Sequence, residues 1–330
     1  MKDFCVVGSG ISGCTIANLL SKKYTVEIFD KAKGLGGRAS NRRYKNNINF
    51  DHGLQYISPE DDKYKNFILK LKKKRVLKKW ESNHIDFNFS KNAKNSKYIG
   101  SKNNNDICKY LIKNLKVRYL SAVTSIKFQK NCWEVNINKN EKFYFKNLII
   151  TCPFPQLKIL AKDYLDQNIL KLKVKMEPNL TVMAVFKKYK KLPIGSIKFN
   201  DHILGFASNE NSKKRFRTNL NLWTIQSNHE WAKKKINIYK NNKTKISNEI
   251  LRRFEELIGI RRKNLTSSSI HGWKYSYNFK KTKFKSYWIK KYNLGMCADW
   301  FLGSKAEHAW LSSNDLFNKL KKNPPISRRV

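Results

Sequence analysis

The chain opens on a pattern that few folds accommodate. Phe4-Cys5-Val6-Val7 is short, apolar and β-branched, and it runs directly into Gly8-Ser9-Gly10-Ile11-Ser12-Gly13. Such a run reads as a buried strand entering a glycine turn. Ile11, Cys14, Ala17 and Leu20 then recur at helical spacing, and Tyr24 to Phe29 reads as a second strand closed by Asp30. Each position has a physical task in holding a dinucleotide. Gly8 permits the tight turn, Gly10 lets a pyrophosphate approach the backbone, and Gly13 lets the helix pack close to the strand. The helix start offers unpaired N–H groups and a partial positive charge to phosphate oxygens. Asp30, 17 residues after Gly13, ends the second strand where a carboxylate can accept from ribose hydroxyls and would disfavour a 2′-phosphate.

A second glycine turn follows at once in Lys33-Gly34-Leu35-Gly36-Gly37-Arg38. Arg38 can offer a planar fork of donors to the same pyrophosphate. This pairing of GxGxxG with GxGGR resembles the flavin amine oxidase superfamily. The continuation Asp51-His52-Gly53-Leu54-Gln55-Tyr56 resembles the D-x-G-x-Q-Y segment of its renalase-like branch. The resemblance extends to Trp223-to-Trp231, to Ile270-His271-Gly272-Trp273-Lys274-Tyr275, and to Leu294-to-Ser312, where a strand ends in Asp299, turns at Gly303 and enters an amphipathic helix.

The resemblance implies an α/β protein: a Rossmann-like FAD-binding domain of the flavin amine oxidase and p-hydroxybenzoate hydroxylase type, with an inserted α+β substrate domain. The FAD domain is expected over 1–78, 98–155 and 270–330, and the substrate domain over 79–97 and 156–269. FAD would be held non-covalently by Gly8, Gly10, Ile11, Ser12, Gly13, Asp30, Lys31, Gly37, Arg38, Gln55, Tyr56, Val123, Asp299 and Gly303. Trp223, His229, Trp273 and Tyr275 are the candidates for a substrate pocket, and each also suits a packed core. His52 is placed near the cofactor without a catalytic role. The flavin would take a hydride at N5 and pass electrons to O2, releasing H2O2. Its substrate would be a dinucleotide-like small molecule, the 2- or 6-dihydro isomers of NAD(P)H. The alternatives are an amine oxidase or other FAD-dependent dehydrogenase, and a basic nucleic-acid-binding protein on a flavoprotein scaffold.

Composition narrows the rest. Six scattered cysteines (5, 14, 108, 132, 152 and 297) form no CxxC or Cys/His cluster, so neither a metal nor a disulfide framework is expected. Their pattern reads as buried reduced thiols of a cytoplasmic protein. Neither a cleavable leader nor a membrane span is expected, and Lys321 to Val330 is basic rather than an apolar anchor. The net charge of +45 is spread along the chain, which favours a codon-composition origin over a nucleic-acid site, while still suiting attraction of an anionic substrate.

Several elements are expected between these motifs. A helix is read over Asp61 to Trp80, and a strand with apolar Ile85, Phe87 and Phe89. Separate strands are read at Phe143 to Phe145 and Leu148 to Pro153, and one helix over Pro155 to Lys173.

Overall fold

A computed structural model describes residues 1–45, 48–87, 96–138, 141–187 and 193–322; Phe89 and the last residues of the basic C-terminus lie outside these. The chain forms two compact units. One comprises residues 1–37, 107–176 and 278 onward, the other 38–106 and 177–277.

The first unit is built on an eight-stranded sheet. Lys2–Val7 lies at its centre, parallel to Glu141–Ile150 on one side and to Val26–Phe29 on the other. Leu294–Met296 and Val117–Arg118 extend the parallel array outward. Tyr287–Ile289 closes one edge antiparallel, and Cys132–Ile137 and Val123–Gln129 form a meander on the Glu141 end. Phe4 to Val7 and Leu148 to Ile150, at the middle of the sheet, are apolar runs because both faces are covered there. Phe4, Cys5, Val6 and Ile149 have no exposed surface. The helices Ile11–Leu20 and Ala306–Lys322 pack against each other. Ser12 Oγ, Ser313 Oγ and the Cys297 carbonyl join them through buried hydrogen bonds.

The second unit is a six-stranded sheet in the order Leu265–Tyr277, Glu177–Phe186, Asn221–Ser227, Leu204–Asn209, Ile194–Lys198, Asn83–Asp86. It is antiparallel except for the last pair. One face carries the core of Leu180, Val182, Trp223, Ile225, Ile250, Leu251 and Phe254, covered by the helix Lys243–Ile258. The opposite face carries Met183, Val185 and Leu222 toward its far end and a row of polar side chains toward the other.

Three expectations give way to tertiary structure. The helix that starts with Asp61 as its N-cap stops at Lys73, and Leu77–Lys79 is a strand paired with Tyr98–Gly100. Arg75, at φ 57°, turns the chain there. The two strands around Lys146 and Asn147 are one, Glu141–Ile150, because both polar side chains find an acceptor on the neighbouring strand: Lys146 donates to the Asp3 carboxylate and the Asn147 amide to the Asp3 carbonyl. The helix from Pro155 is instead Phe154–Ala161, a 3-10 turn and the short Gln167–Leu170, restarted by the Asp166 side chain accepting from Ile169 N–H. No helix among the described residues is long and apolar enough to cross a membrane.

Candidate functional site

Open parallel sheets bind ligands beyond the carboxyl ends of their strands. In the first unit those ends are Gly8, Asp30, Thr151 and the segment Cys297 to Asp299, which follow four parallel strands of one sheet. Gly8, Asp30 and Asp299, which the sequence nominates, are among them.

The turn and helix start are built for close approach. A Cβ on Gly13 would lie 1.9 Å from the Gly8 carbonyl oxygen, so only glycine allows the helix to seat against the strand end. Gly10 is the N-cap of Ile11–Leu20 and has no side chain to cap it. The first intrahelical bond runs from Cys14 N–H to the Gly10 carbonyl. The N–H groups of Ile11, Ser12 and Gly13 therefore have no helical acceptor, as at any helix start. Ser12 cannot cap them, because its hydroxyl points back to Cys297, Ala309 and Ser313. This geometry fits a pyrophosphate, whose oxygens would supply the missing acceptors. The second glycine turn lies alongside: Gly10 bridges Gly36, and Gly36 N–H donates to the Ser9 carbonyl.

Asp30 is fixed rather than mobile. One carboxylate oxygen accepts from the N–H and hydroxyl of Ser9, the other from Ala32 N–H. Oδ1, which accepts only the Ala32 N–H, keeps a further lone pair for a ribose hydroxyl. Ser121 N–H donates to the Asp30 carbonyl, which brings the start of the strand Val123–Gln129 beside it. Lys31 is exposed, and its charge acts on the Cys152 thiol, which burial pushes up to about 12. Cys152 is thus a protonated, unreactive thiol at neutral pH. Asp299 is buried and opens a 3-10 turn, seven residues before the helix Ala306–Lys322 begins, with Gly303 N–H donating to the Asp299 carbonyl.

In the second unit the nominated residues Gln55 and Tyr56 belong to a segment held by a charge network that sequence reasoning missed. Asp51 and Glu210 are buried carboxylates, Lys213 a fully buried ammonium, and the Arg215 side chain is 3% exposed. Lys213 Nζ lies 2.8 Å from Asp51 and 2.9 Å from Glu210, and it faces the Trp80 ring at 5.5 Å. Arg215 donates to Asp51, to the Gly100 carbonyl and to Asn104 Oδ1. Two cations against two carboxylates leave the cluster neutral. Burial raises the Asp51 pKa and the Arg215 and Lys213 charges overcome it, holding the carboxyl down at about 2. Burial holds the Glu210 carboxyl above its usual range. Ser208 and Thr224 hydroxyls also bond Glu210 Oε1. Asn104 comes from the polar stretch Lys102 to Asn105. It donates its backbone N–H to Asp51 and its amide to the Leu54 carbonyl.

The substrate-pocket candidates do not share one surface. Trp223 is fully buried on the helix-covered face, 5.2 Å from the Phe254 ring. Trp273 stands on the opposite, polar face, because its strand neighbour Gly272 is the residue that meets Ile236 and Tyr239 of the helix-covered core. There it packs 5.0 Å from the His52 ring and 4.4 Å from His271. Burial, together with the neighbouring His271 and Arg42, lowers His52 to about 3, so its ring is neutral at physiological pH. His229 is the first residue of the short helix His229–Lys235, with Nε2 3.2 Å from Glu230. Tyr275 lies under the Lys274 ammonium. Arg38 donates to the Ser276 carbonyl at 2.9 Å.

Comparison with known proteins agrees with this geometry. Residues 6–71 match the family of NAD(P)-binding Rossmann-like domains. Over 98% of its length the chain superposes on an Exiguobacterium sp. 255-15 protein assigned as a protoporphyrinogen oxidase, with a TM-score of 0.74, 9% identity and 99% of that chain covered. A putrescine oxidase variant gives a TM-score of 0.69 at 10% identity, covering 98% of both chains. The class is therefore a mixed α/β protein with a Rossmann-like domain and the fold of the flavin amine oxidases. In sequence it is similar to renalase of Mus musculus, 30% identical over 174 residues, 49% of this chain and 50% of that protein. The chain spans about half the length of the curated relative it matches.

Proposed function

We propose that the chain is an FAD-dependent oxidoreductase that oxidises a small reduced dinucleotide, the 2- or 6-dihydro isomers of NAD(P)H, with O2 as the final acceptor. The observation that carries this reading is the uncapped helix start at Gly10, seated by Gly13 against Gly8 and flanked by the fixed Asp30 carboxylate. The renalase likeness supports the substrate class. Bound FAD would supply the hydride-accepting ring; the chain supplies position, exclusion of water and electrostatics.

Gly8, Gly10, Ile11, Ser12, Gly13 and Gly37 are assigned to the pyrophosphate, with Arg38 as a charged donor. Asp30, Lys31 and Val123 are assigned to the adenosine half, and Asp299 and Gly303 to the ribityl and pyrimidine half. Gln55 and Tyr56 are assigned to the segment that meets the ring. The neutral His52, the His271 ring and Trp273 offer an apolar wall without charge, which suits a flat heteroaromatic ring. The net charge of +45 would raise the encounter rate with an anionic dinucleotide, most strongly at low salt.

The test is a visible spectrum followed by anaerobic mixing. Purified protein should be yellow, and it should bleach rapidly with 2- or 6-dihydro isomers and slowly with ordinary NADH. A yellow protein reduced by a diamine and by none of the nicotinamides would move the substrate to the amines. A colourless protein unable to take up FAD would end the cofactor reading. Arg38→Ala and Gly10→Val are each expected to give folded protein with at least about tenfold weaker FAD retention, read as flavin content after gel filtration. Full occupancy in both would overturn the pyrophosphate assignment.

A further inference from the structure

The loop that joins the strands Leu204–Asn209 and Asn221–Ser227 borders a cavity of about 570 Å³. Asn211, Lys214, Arg215, Phe216 and Arg217 line it, so it lies within the second unit alone. Its volume falls in the range of about 300–1,000 Å³ typical of small-molecule sites. No sequence motif nominates any of these residues.

The loop is held in place by its own polar contacts. The Asn211 side chain clasps its far end: Nδ2 donates to the Leu220 carbonyl at 2.9 Å, and Oδ1 accepts from Leu222 N–H at 2.8 Å. Trp80 Nε1 donates to Ser212 Oγ, which donates in turn to the Asn209 carbonyl. Lys213 and Arg215 are committed to the neutral quartet. Lys214 stands between them at φ 50°, with its N–H on the Asn211 carbonyl and its side chain exposed. Phe216 packs against the cluster of Phe50, Met183, Val185 and Leu222, which fixes its ring as one wall. Walls set in advance lower the ordering cost of binding.

The charge around the cavity has one sign. No acid occurs between Glu210 and Glu230, and Glu210 is bound to Lys213. Lys214 and Arg217 form no ion pair among the described residues. Lys78 joins them from the strand Leu77–Lys79. Its Nζ donates to the Lys214 carbonyl at 3.0 Å, and it too has no acidic partner among the described residues. Burial, with Arg215 and Lys214 beside it, lowers the Lys78 pKa, as expected of an ammonium short of counter-charge. A single solvated lysine needs no partner. Cations gathered beside one walled cavity repel one another until an anion bridges them.

We propose that this cavity binds a small organic phosphate of the nucleoside diphosphate class, with Lys78, Lys214 and Arg217 on its phosphate oxygens and the Phe216 ring against its flat base. The planar fork of Arg217 can meet two phosphate oxygens at once, and the lysines act as point charges. Arg215 keeps its bonds to Asp51, Gly100 and Asn104 and braces the wall. The site does not depend on the FAD reading.

The probe is ADP, titrated by calorimetry into the full chain at an ionic strength of about 0.15 M. The glycine turn at Gly10 can also take ADP, so the titrations are run in Gly10→Val, which leaves the cavity intact. Saturable one-to-one binding is expected there. Lys214→Asn combined with Arg217→Gln should weaken it by at least about tenfold, since charge-assisted contacts are lost while asparagine keeps the left-handed turn. Lys243→Gln combined with Lys245→Gln removes the same charge from the helix Lys243–Ile258, on the opposite face of the sheet, and should change it by less than about twofold. Phe216→Leu should weaken ADP by at least about threefold and leave inorganic pyrophosphate unchanged. If the first double variant does not fold, Arg217→Gln alone should still weaken ADP by at least about threefold. Absence of saturable binding in Gly10→Val overturns the proposal. Undiminished binding in the Lys214 and Arg217 variant also overturns it, because ADP then sits elsewhere. Equal losses in the two double variants overturn it as well, since the net charge alone would be attracting the anion. Equal weakening of ADP and pyrophosphate by Phe216→Leu overturns the assignment of the ligand class.

Discussion

Gly13→Val should give a protein that cannot retain flavin and unfolds at markedly lower denaturant than the parent. The added Cβ would lie 1.9 Å from the Gly8 carbonyl oxygen and 3.0 Å from the Thr151 hydroxyl, so the helix start must move away from the strand end. That motion separates the N–H groups of Ile11 and Ser12 from the glycine turn and breaks the packing between Ile11–Leu20 and the sheet. Overpacking of this kind typically costs about 1–3 kcal/mol, and the backbone clash places it at or above the upper end. Urea titration gives the stability change, and flavin content gives the binding change. Wild-type stability together with full flavin in Gly13→Val would refute the account of the turn.

Lys213→Met should be the most destabilising single change in the second unit. Removing the ammonium leaves Asp51 and Glu210 buried with Arg215 as the only remaining cation of the quartet. Breaking a buried pair from one side costs about 3–5 kcal/mol, because the surviving charge is left uncompensated. Lys213→Met combined with Glu210→Leu removes one charge of each sign, and it is expected to recover most of that loss. No recovery in the double variant would mean that the network is not governed by charge balance. Acid titration adds a sign check. The folded Asp51 pKa of about 2 lies below its usual 3.8. Its contribution to stability is therefore complete above about pH 4 and is lost as the pH falls through about 2. With Lys213 gone, that loss should begin at higher pH. Glu210 acts with the opposite sign: its raised folded pKa favours the folded state in acid, and that gain disappears as the pH rises through the folded value.

These two predictions sit at the two extremes of what a sequence displays. Gly8, Gly10, Gly13 and Asp30 lie within 23 consecutive residues, and their spacing alone places them on a strand, a turn, a helix and a second strand. The meander over Val123–Gln129 and Cys132–Ile137, and the amphipathic helix after Asp299, are equally local patterns. The quartet is of another kind. Asp51 and Arg215 are 164 residues apart, and Lys213-Lys214-Arg215 looks like any other basic run in a chain with 69 lysines and arginines. The one local hint was Glu210 three residues before Lys213, a spacing shared by many solvent-exposed pairs.

The same distinction explains the misread elements. Lys146 and Asn147 look like a break between two strands until Asp3, from the neighbouring strand, supplies partners for both. Leu77–Lys79 continues a helical pattern until Tyr98–Gly100 offers it a ladder. Trp223 and Trp273 are both aromatic residues in alternating strands, and nothing in either strand alone says which face will be covered by the helix Lys243–Ile258. Backbone conformation at glycines and hydrophobic periodicity act over a few residues, so the sequence by itself determined the Rossmann-like turn, its helix and its acid. Burial depends on which distant segments meet, and it sets whether a charge is solvated or paired. Only the tertiary structure decided that Asp51, Glu210, Lys213 and Arg215 form one neutral cluster and that Gln55 is turned inward upon it.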